Sequence, residues 1–259
     1  MSYARHFCRM QASLIVFLLA TAVHAGDWNI VPRLTVAEDY SDNVNLDEAN
    51  RESEFITEIN PGISLHGRGG RVTANLDYNM QNVFYLSDSD SNEIFHQLSA
   101  NATAEMSKNF FFVDATSTIS QAIIDAGSTV STSNLNILDN RTNVYTYSIS
   151  PYITPHFGAY ADGVFRYDYG LVKYGSGAAD GEDNRFDARL VSGRNFVPLS
   201  WSVNYAVDEV KRDNISTEHF ENADMDARYR LTDEFSLVAQ AGYSNNDFNS
   251  SERIENGSY

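Results

Sequence analysis

Few residues of this chain belong to types that do chemistry, and their spacing assembles none of them into a catalytic set. Outside the first 25 residues the histidines are His66, His96, His156 and His219. A hydrolase would need one of them beside a serine nucleophile and an orienting carboxylate. Instead they fall in four separate segments. His66 and His156 lie beside short turns, His96 and His219 toward the opposite ends of their segments. The single cysteine, Cys8, stands near the N-terminus and leaves the rest of the chain without a thiolate for metal or redox work. Asp88-Ser89-Asp90 and Asp180-Gly181-Glu182-Asp183 offer the hard oxygen ligands that Ca²⁺ takes, but neither has EF-hand spacing. Solvated loops are commonly acidic, and that is the reading for both. The expectation is a protein that is not an enzyme, with no catalytic, cofactor-binding or metal-ligating residues and no cofactor.

A second charged group makes sense only as a wall. Glu54, Glu58, Asp77, Glu105, Asp114, Arg185, Asp187 and Arg189 all fall on the polar parity of alternating segments. Strands are the elements that must position them, because successive strand side chains point to opposite faces. In the segment from Val72, Val72, Ala74, Leu76, Tyr78 and Met80 alternate with Thr73, Asn75, Asp77, Asn79 and Gln81. Leu98, Ala100, Ala102, Ala104 and Met106 alternate with polar neighbours, and so do Leu199, Trp201, Val203, Tyr205 and Val207. Similar segments start near Trp28, Phe55, Phe111, Val144, Ala159, Arg185, His219 and Phe235. That makes eleven candidate strands, with no sustained helical period.

Connections alternate in length. Short turns are expected at 67–70, 107–109, 156–158, 194–198 and 232–234, and longer polar loops at 38–53, 87–92, 125–143, 175–184 and 209–217. Barrels inserted from the periplasm show this asymmetry, with an apolar band outside and a polar lumen. Aromatic residues gather near both ends. Trp28, Phe111, Phe157, Phe196, Trp201 and Phe235 lie by the short turns, and Tyr40, Phe84, Tyr85, Tyr145, Tyr169, Tyr174 and Tyr243 lie toward the loops, as two interfacial girdles would. Pro32, Pro61 and Pro151 interrupt alternating segments and are expected at bulges or strand ends on the short-turn rim. The segment 125–143 is expected to project outward and to tolerate insertion between Ser131 and Asn134.

The N-terminus agrees with export. Arg5 and Arg9 precede an apolar stretch from Ala12 to about Val23, and Val23-His24-Ala25 supplies a cleavage signal before Gly26. Residues 1–25 are therefore read as a signal peptide and 26–259 as an antiparallel transmembrane β-barrel of the outer-membrane type. The apolar stretch is shorter than the ~20 residues of a spanning helix. Cleavage would remove two arginines from a chain of formal net charge −17. So acidic a chain, with no basic stripe, argues against nucleic-acid partners.

The segment Trp28-Asn29-Ile30-Val31-Pro32-Arg33-Leu34-Thr35-Val36, followed by Tyr40-Ser41-Asp42-Asn43-Val44 and Phe55-Ile56-Thr57-Glu58-Ile59-Asn60-Pro61-Gly62-Ile63, resembles the start of the outer-membrane β-barrel proteins associated with PEP-CTERM/exosortase systems. Those proteins accompany exopolysaccharide production clusters in Gram-negative bacteria. The match is tight from Trp28 to about Tyr85; farther on only the strand-and-loop style agrees. The resemblance implies location in the cell outer membrane, outer-membrane lipid as surroundings, and polysaccharide or the envelope export machinery as partners. It supplies no site residues. A diffusion porin for small solutes and a surface-exposed structural or adhesive barrel are the alternatives. Single-chain barrels usually have even strand numbers, so eleven strands suggest a barrel truncated at the C-terminus.

Overall fold

The computed structural model describes residues 26–138, 140–213 and 216–250. The expected signal peptide lies outside them. They form one antiparallel sheet, built from β1 (Gly26–Ser41), β2 (Glu54–Gly69), β3 (Val72–Tyr85), β4 (Glu93–Ser107), β5 (Phe111–Ile123), β6 (Arg141–Ile153), the two-residue β7 (His156–Phe157), β8 (Ala161–Tyr174), β9 (Gly181–Ser192), β10 (Leu199–Arg212), β11 (Ser216–Arg230) and β12 (Ser236–Ser250). The only helix among them is a single 3₁₀ turn, Ser89–Ser91. All eleven expected strands are present, and β7 is an addition within the turn expected at 156–158.

Each long strand pairs with its predecessor and its successor, except at the ends of the path. Among the described residues β1 pairs only with β2, and β12 only with β11, so the sheet is open. Eleven long strands alternate in direction, so β1 and β12 run the same way. Closure by antiparallel pairing would need an odd number of further strands between them.

Two short turns hold a residue in the left-handed region, Asn109 at φ 52° and Gly158 at φ 64°. Asn and Gly tolerate that conformation best. The register shifts once, between Glu105 and Ser107, where β4 enters the turn and Glu105 accepts the Asn109 N–H at 2.6 Å.

The prolines correct the sequence reading. Pro61 and Pro151 sit where the ladders β2–β3 and β6–β8 lapse for two residues and then resume in the same register. These are missing rungs and not bulges, because proline lacks only the N–H. Pro61 is also in mid-strand, away from the rim. Pro32 pairs with Ile63 on β1, an edge strand bonded on one side, where a proline is tolerated.

The loop at 209–217 is likewise corrected. Glu209, Val210, Lys211 and Arg212 remain in the β10–β11 ladder up to the pair Arg212–Ser216. Their polarity reflects ion pairs at the strand end, Lys211 with Glu209 along β10 and Arg212 with Glu218 across to β11, and not a loop. The length asymmetry between the two ends therefore rests mainly on residues 42–53 and 124–140.

Candidate functional site

The pairing register carries each strand's alternation unbroken across the sheet, so each face can be followed residue by residue. Glu54, Glu58, Asp77, Glu105, Asp114, Arg185, Asp187 and Arg189 all fall on one face, as expected. Asp77 faces Ser64 and Ser99 across its two ladders, and Asp114 faces Thr103 and Ser150.

On this face many of the charges are paired, although Asp183 and Asp208 face each other with one buried oxygen each lacking a hydrogen bond. Glu58 accepts from Gln81 Nε2 at 2.7 Å and Asn60 Nδ2 at 3.0 Å. Asp77 accepts the Ser64 hydroxyl and lies 3.7 Å from Arg33, two strands away. Arg166 spans β6 to reach Asp114 at 3.0 Å, holds Asp168 at 2.9 Å, and lies over the Tyr152 ring at 4.9 Å. Tyr152 stacks on Phe112 with ring centres 5.1 Å apart. Arg185 donates to both oxygens of Asp187, at 2.7 and 2.8 Å. Farther on, Asn204 donates to Asp224 and Gln240 to Asp226. Arg166, Tyr152, Asp168 and Phe112 escaped sequence reading, although their parity alone would have placed them here.

Chemically this is a wall of fixed dipoles and paired charges. Among the described residues none of the four histidines is paired with a serine hydroxyl. His66 meets Asn75 on this face, His156 meets Asp162 at the short-turn end, and His96 and His219 are on the other face beside Tyr78 and Glu209. No group of three or more potential metal ligands converges among the described residues. Of the two acidic segments expected as solvated loops, only the first is one: Gly181, Glu182 and Asp183 open β9 and pair with β8 and β10, which leaves Asp180 alone in the loop. Asp88 accepts the Ser91 hydroxyl at 2.5 Å. Asp180 accepts the Tyr174 N–H at 2.9 Å and Lys173 at 3.2 Å. The Tyr174 N–H holds the Asp180 carboxyl below its ordinary pKa, slight burial opposes this, and Lys173 adds to the lowering.

The opposite face is apolar and uncovered. Leu34 is 67 % exposed, Val36 62 % and Tyr243 60 %. Along β10 it carries Leu199, Trp201, Val203, Tyr205 and Val207, a run of about nine residues, matching the 9–11 of a tilted transmembrane strand. Glu209 and Lys211 then end the apolar run. Aromatic residues mark both borders. Trp28 lies flat over Gly67, where a Cβ would come within 1.8 Å of the ring, and Tyr40 packs on Phe55 at 4.9 Å. Two expected girdle residues are corrected: Tyr85 and Tyr174 have the parity of the polar face.

The largest departure from expectation is at the loop end. The second half of residues 124–138 does not project outward: 134–137 lie on the polar face of β2–β4, while 124–133 stay largely exposed. Leu135 and Ile137 pack on Val44, Ile56, Val83, Tyr85 and Phe95, the buried hydrophobic cluster of the described residues. The insertion site expected between Ser131 and Asn134 is accordingly tied down, because Arg141 donates to the carbonyls of Ser131 and Ser133 and Asn134 donates to Gln81 at 2.8 Å. Ile56, Val83 and Phe95, apolar on the polar parity, with Leu135 and Ile137 two apart in a polar loop, were the signal available in sequence. Among the described residues no helix is long and apolar enough to cross a membrane. No family model matches the chain, and no curated protein matches it.

Proposed function

We propose that this sheet is wall of an outer-membrane β-barrel, with the apolar face against lipid and the polar face lining a hydrated interior. The single observation that supports this most is the uncovered apolar face, bordered by aromatic residues and backed by an unbroken polar one. Contiguous exposed apolar surface on that scale needs an apolar neighbour, and lipid on the outside of a barrel provides one along every strand. The role is non-enzymatic. The resemblance over Trp28 to Tyr85 assigns it to exopolysaccharide production or export at the cell envelope. Expressed at full length in a Gram-negative host, the protein should fractionate with the outer membrane and migrate differently on gels when unboiled. Recovery as a soluble periplasmic protein would sink the barrel reading. Deleting the gene in its own host should lower secreted polysaccharide while leaving the outer membrane otherwise intact; unchanged polysaccharide would remove that assignment.

One observation favours a second reading, passage of small solutes. The folded loop occupies part of the polar face, and a narrowed interior suits small molecules better than a polymer.

A further inference from the structure

We infer that residues 124–138 are the size-selecting constriction of the interior, latched in place by Val44 of the β1–β2 loop. The inference rests on reading the polar face as the lining of a passage.

Three features of this segment mark it as a fixed element. Its base continues the β5–β6 hairpin: the Ile124 N–H donates to the Asn140 carbonyl at 3.2 Å, and Asn140 Nδ2 donates to the carbonyls of Asp125 at 2.8 Å and Thr129 at 3.1 Å. That neck sets the direction in which the loop leaves the sheet. Its far end is seated by apolar contact, Leu135 and Ile137 against a cluster in which Val44, Ile56 and Val83 are each no more than 2 % exposed. Polar contacts fix the same end. The Val44 carbonyl accepts both the Ile137 N–H at 3.1 Å and Asn136 Nδ2 at 3.2 Å, and the Tyr85 hydroxyl donates to the Leu135 carbonyl at 3.2 Å. Two loops separated by some ninety residues thus meet over the wall, and a buried apolar seat with satisfied carbonyls is costly to open.

Beside the loop remains a cavity of about 450 Å³, lined by Glu93 and Thr142 of the polar parity, by Asn136 of the loop and by Gln121, Arg141 and Asn143, which have the opposite parity at the strand ends. Amides, a hydroxyl and charges of both signs suit a small hydrophilic, uncharged or zwitterionic solute. The space is at the low end of small-ligand sites. A polymer would have to displace the latch.

Val44→Asp puts a carboxylate into the cluster, Ile137→Ser removes the apolar seat more gently, and Val130→Asp makes the same charge change where the loop is 41 % exposed. Each full-length protein would be reconstituted in phospholipid vesicles, with the unboiled gel shift confirming folding. Swelling would be followed in glucose, raffinose and stachyose, and loop exposure by proteinase K. The expected result is that wild type and Val130→Asp admit glucose, largely exclude stachyose and resist cleavage within 124–138. Val44→Asp and Ile137→Ser should admit stachyose severalfold faster and be cut there. Resistance to cleavage in both latch variants overturns the latch. Cleavage with unchanged sugar selectivity overturns the constriction. Absence of glucose entry in every folded variant, with cleavage still restricted to the latch variants, overturns the passage reading while the latch itself stands.

Discussion

Strands β2–β4 and strands β8–β11 share one pleat and one alternation, yet their inward sides are held by different forces. Over β2–β4 a long loop returns to the sheet and buries Ile56, Val83, Tyr85 and Phe95. Over β8–β11 no such cluster forms among the described residues. The polar face there is organised by Arg166 and Arg185 with their carboxylates, and at the rim by Arg212 with Glu218. Burial rewards volume and is unforgiving of gaps. Exposed ion pairs contribute little, because water and salt screen them and long side chains lose entropy. The same topology therefore has a region held by burial and a region held by exposed polar pairs. Their outward faces do not differ in this way.

The largest expected effect tests the region held by burial. Ile56, 1 % exposed, should lose about 2–5 kcal/mol on Ile56→Ala, the range for a buried aliphatic truncation. Val210→Ala, on the inward face of β10, should cost well under half of that. Urea unfolding in lipid vesicles measures both, and equal losses would erase the distinction between the two regions.

The outward face should not distinguish the regions at all. Leu76→Arg on β3 and Val203→Arg on β10 each put a charge on the apolar side and should cost roughly 2–4 kcal/mol if they lie near the bilayer midplane. Asn79→Arg, on the polar side of β3, should cost much less. A large loss at Asn79 with little at Leu76 would mean the faces are exchanged, since a slip of one residue inverts a strand.

Within the other region the half-buried and exposed ion pairs should separate. Arg166→Gln leaves Asp114 and Asp168 without their shared cation and should cost about 1–2 kcal/mol. Arg212→Gln, at the rim, should fall below about 1 kcal/mol and vanish in high salt. Salt-independent losses of equal size would refute the contrast.

The smallest effect is a shared response to acid at the loop ends. Asp125 is held below its ordinary pKa first by the Ser128 hydroxyl and then by the Gly127 N–H, and Asp180 by the Tyr174 N–H. A lowered carboxyl stabilises its loop above the ordinary carboxylate value, and that stabilisation disappears as pH falls through the lowered one. The protection of the Gly127 and Tyr174 amides from exchange, relative to the base-catalysed intrinsic rate, should therefore fall on acidification, and Asp180→Asn should abolish the pH dependence at Tyr174 alone. A flat profile in the wild type would remove these hydrogen bonds as loop determinants.

Much of the fold could be read from local pattern. Period-two alternation is a property of neighbouring residues, so the eleven long strands and the sides taken by Asp77, Asp114 and Arg189 were legible in sequence. The segment around Glu209 was misread because rim residues of paired strands are as polar as loops. Pro61 and Pro151 were misread because a strand can skip a rung without changing register.

Sequence by itself determined which residues share a face, because strand geometry leaves each side chain only two directions. Tertiary structure alone decided where residues 124–138 go. Their Ser, Thr and Asn content fits a solvated loop equally well, and the two apolar residues that seat them, Leu135 and Ile137, find their site only once β2, β3, β4 and Val44 have come together. Apolar residues out of place on both sides are visible in sequence, but nothing local says that they meet across some ninety positions. The contact exists because an apolar pair in a polar loop and an apolar patch on a polar wall each lower their exposure by meeting.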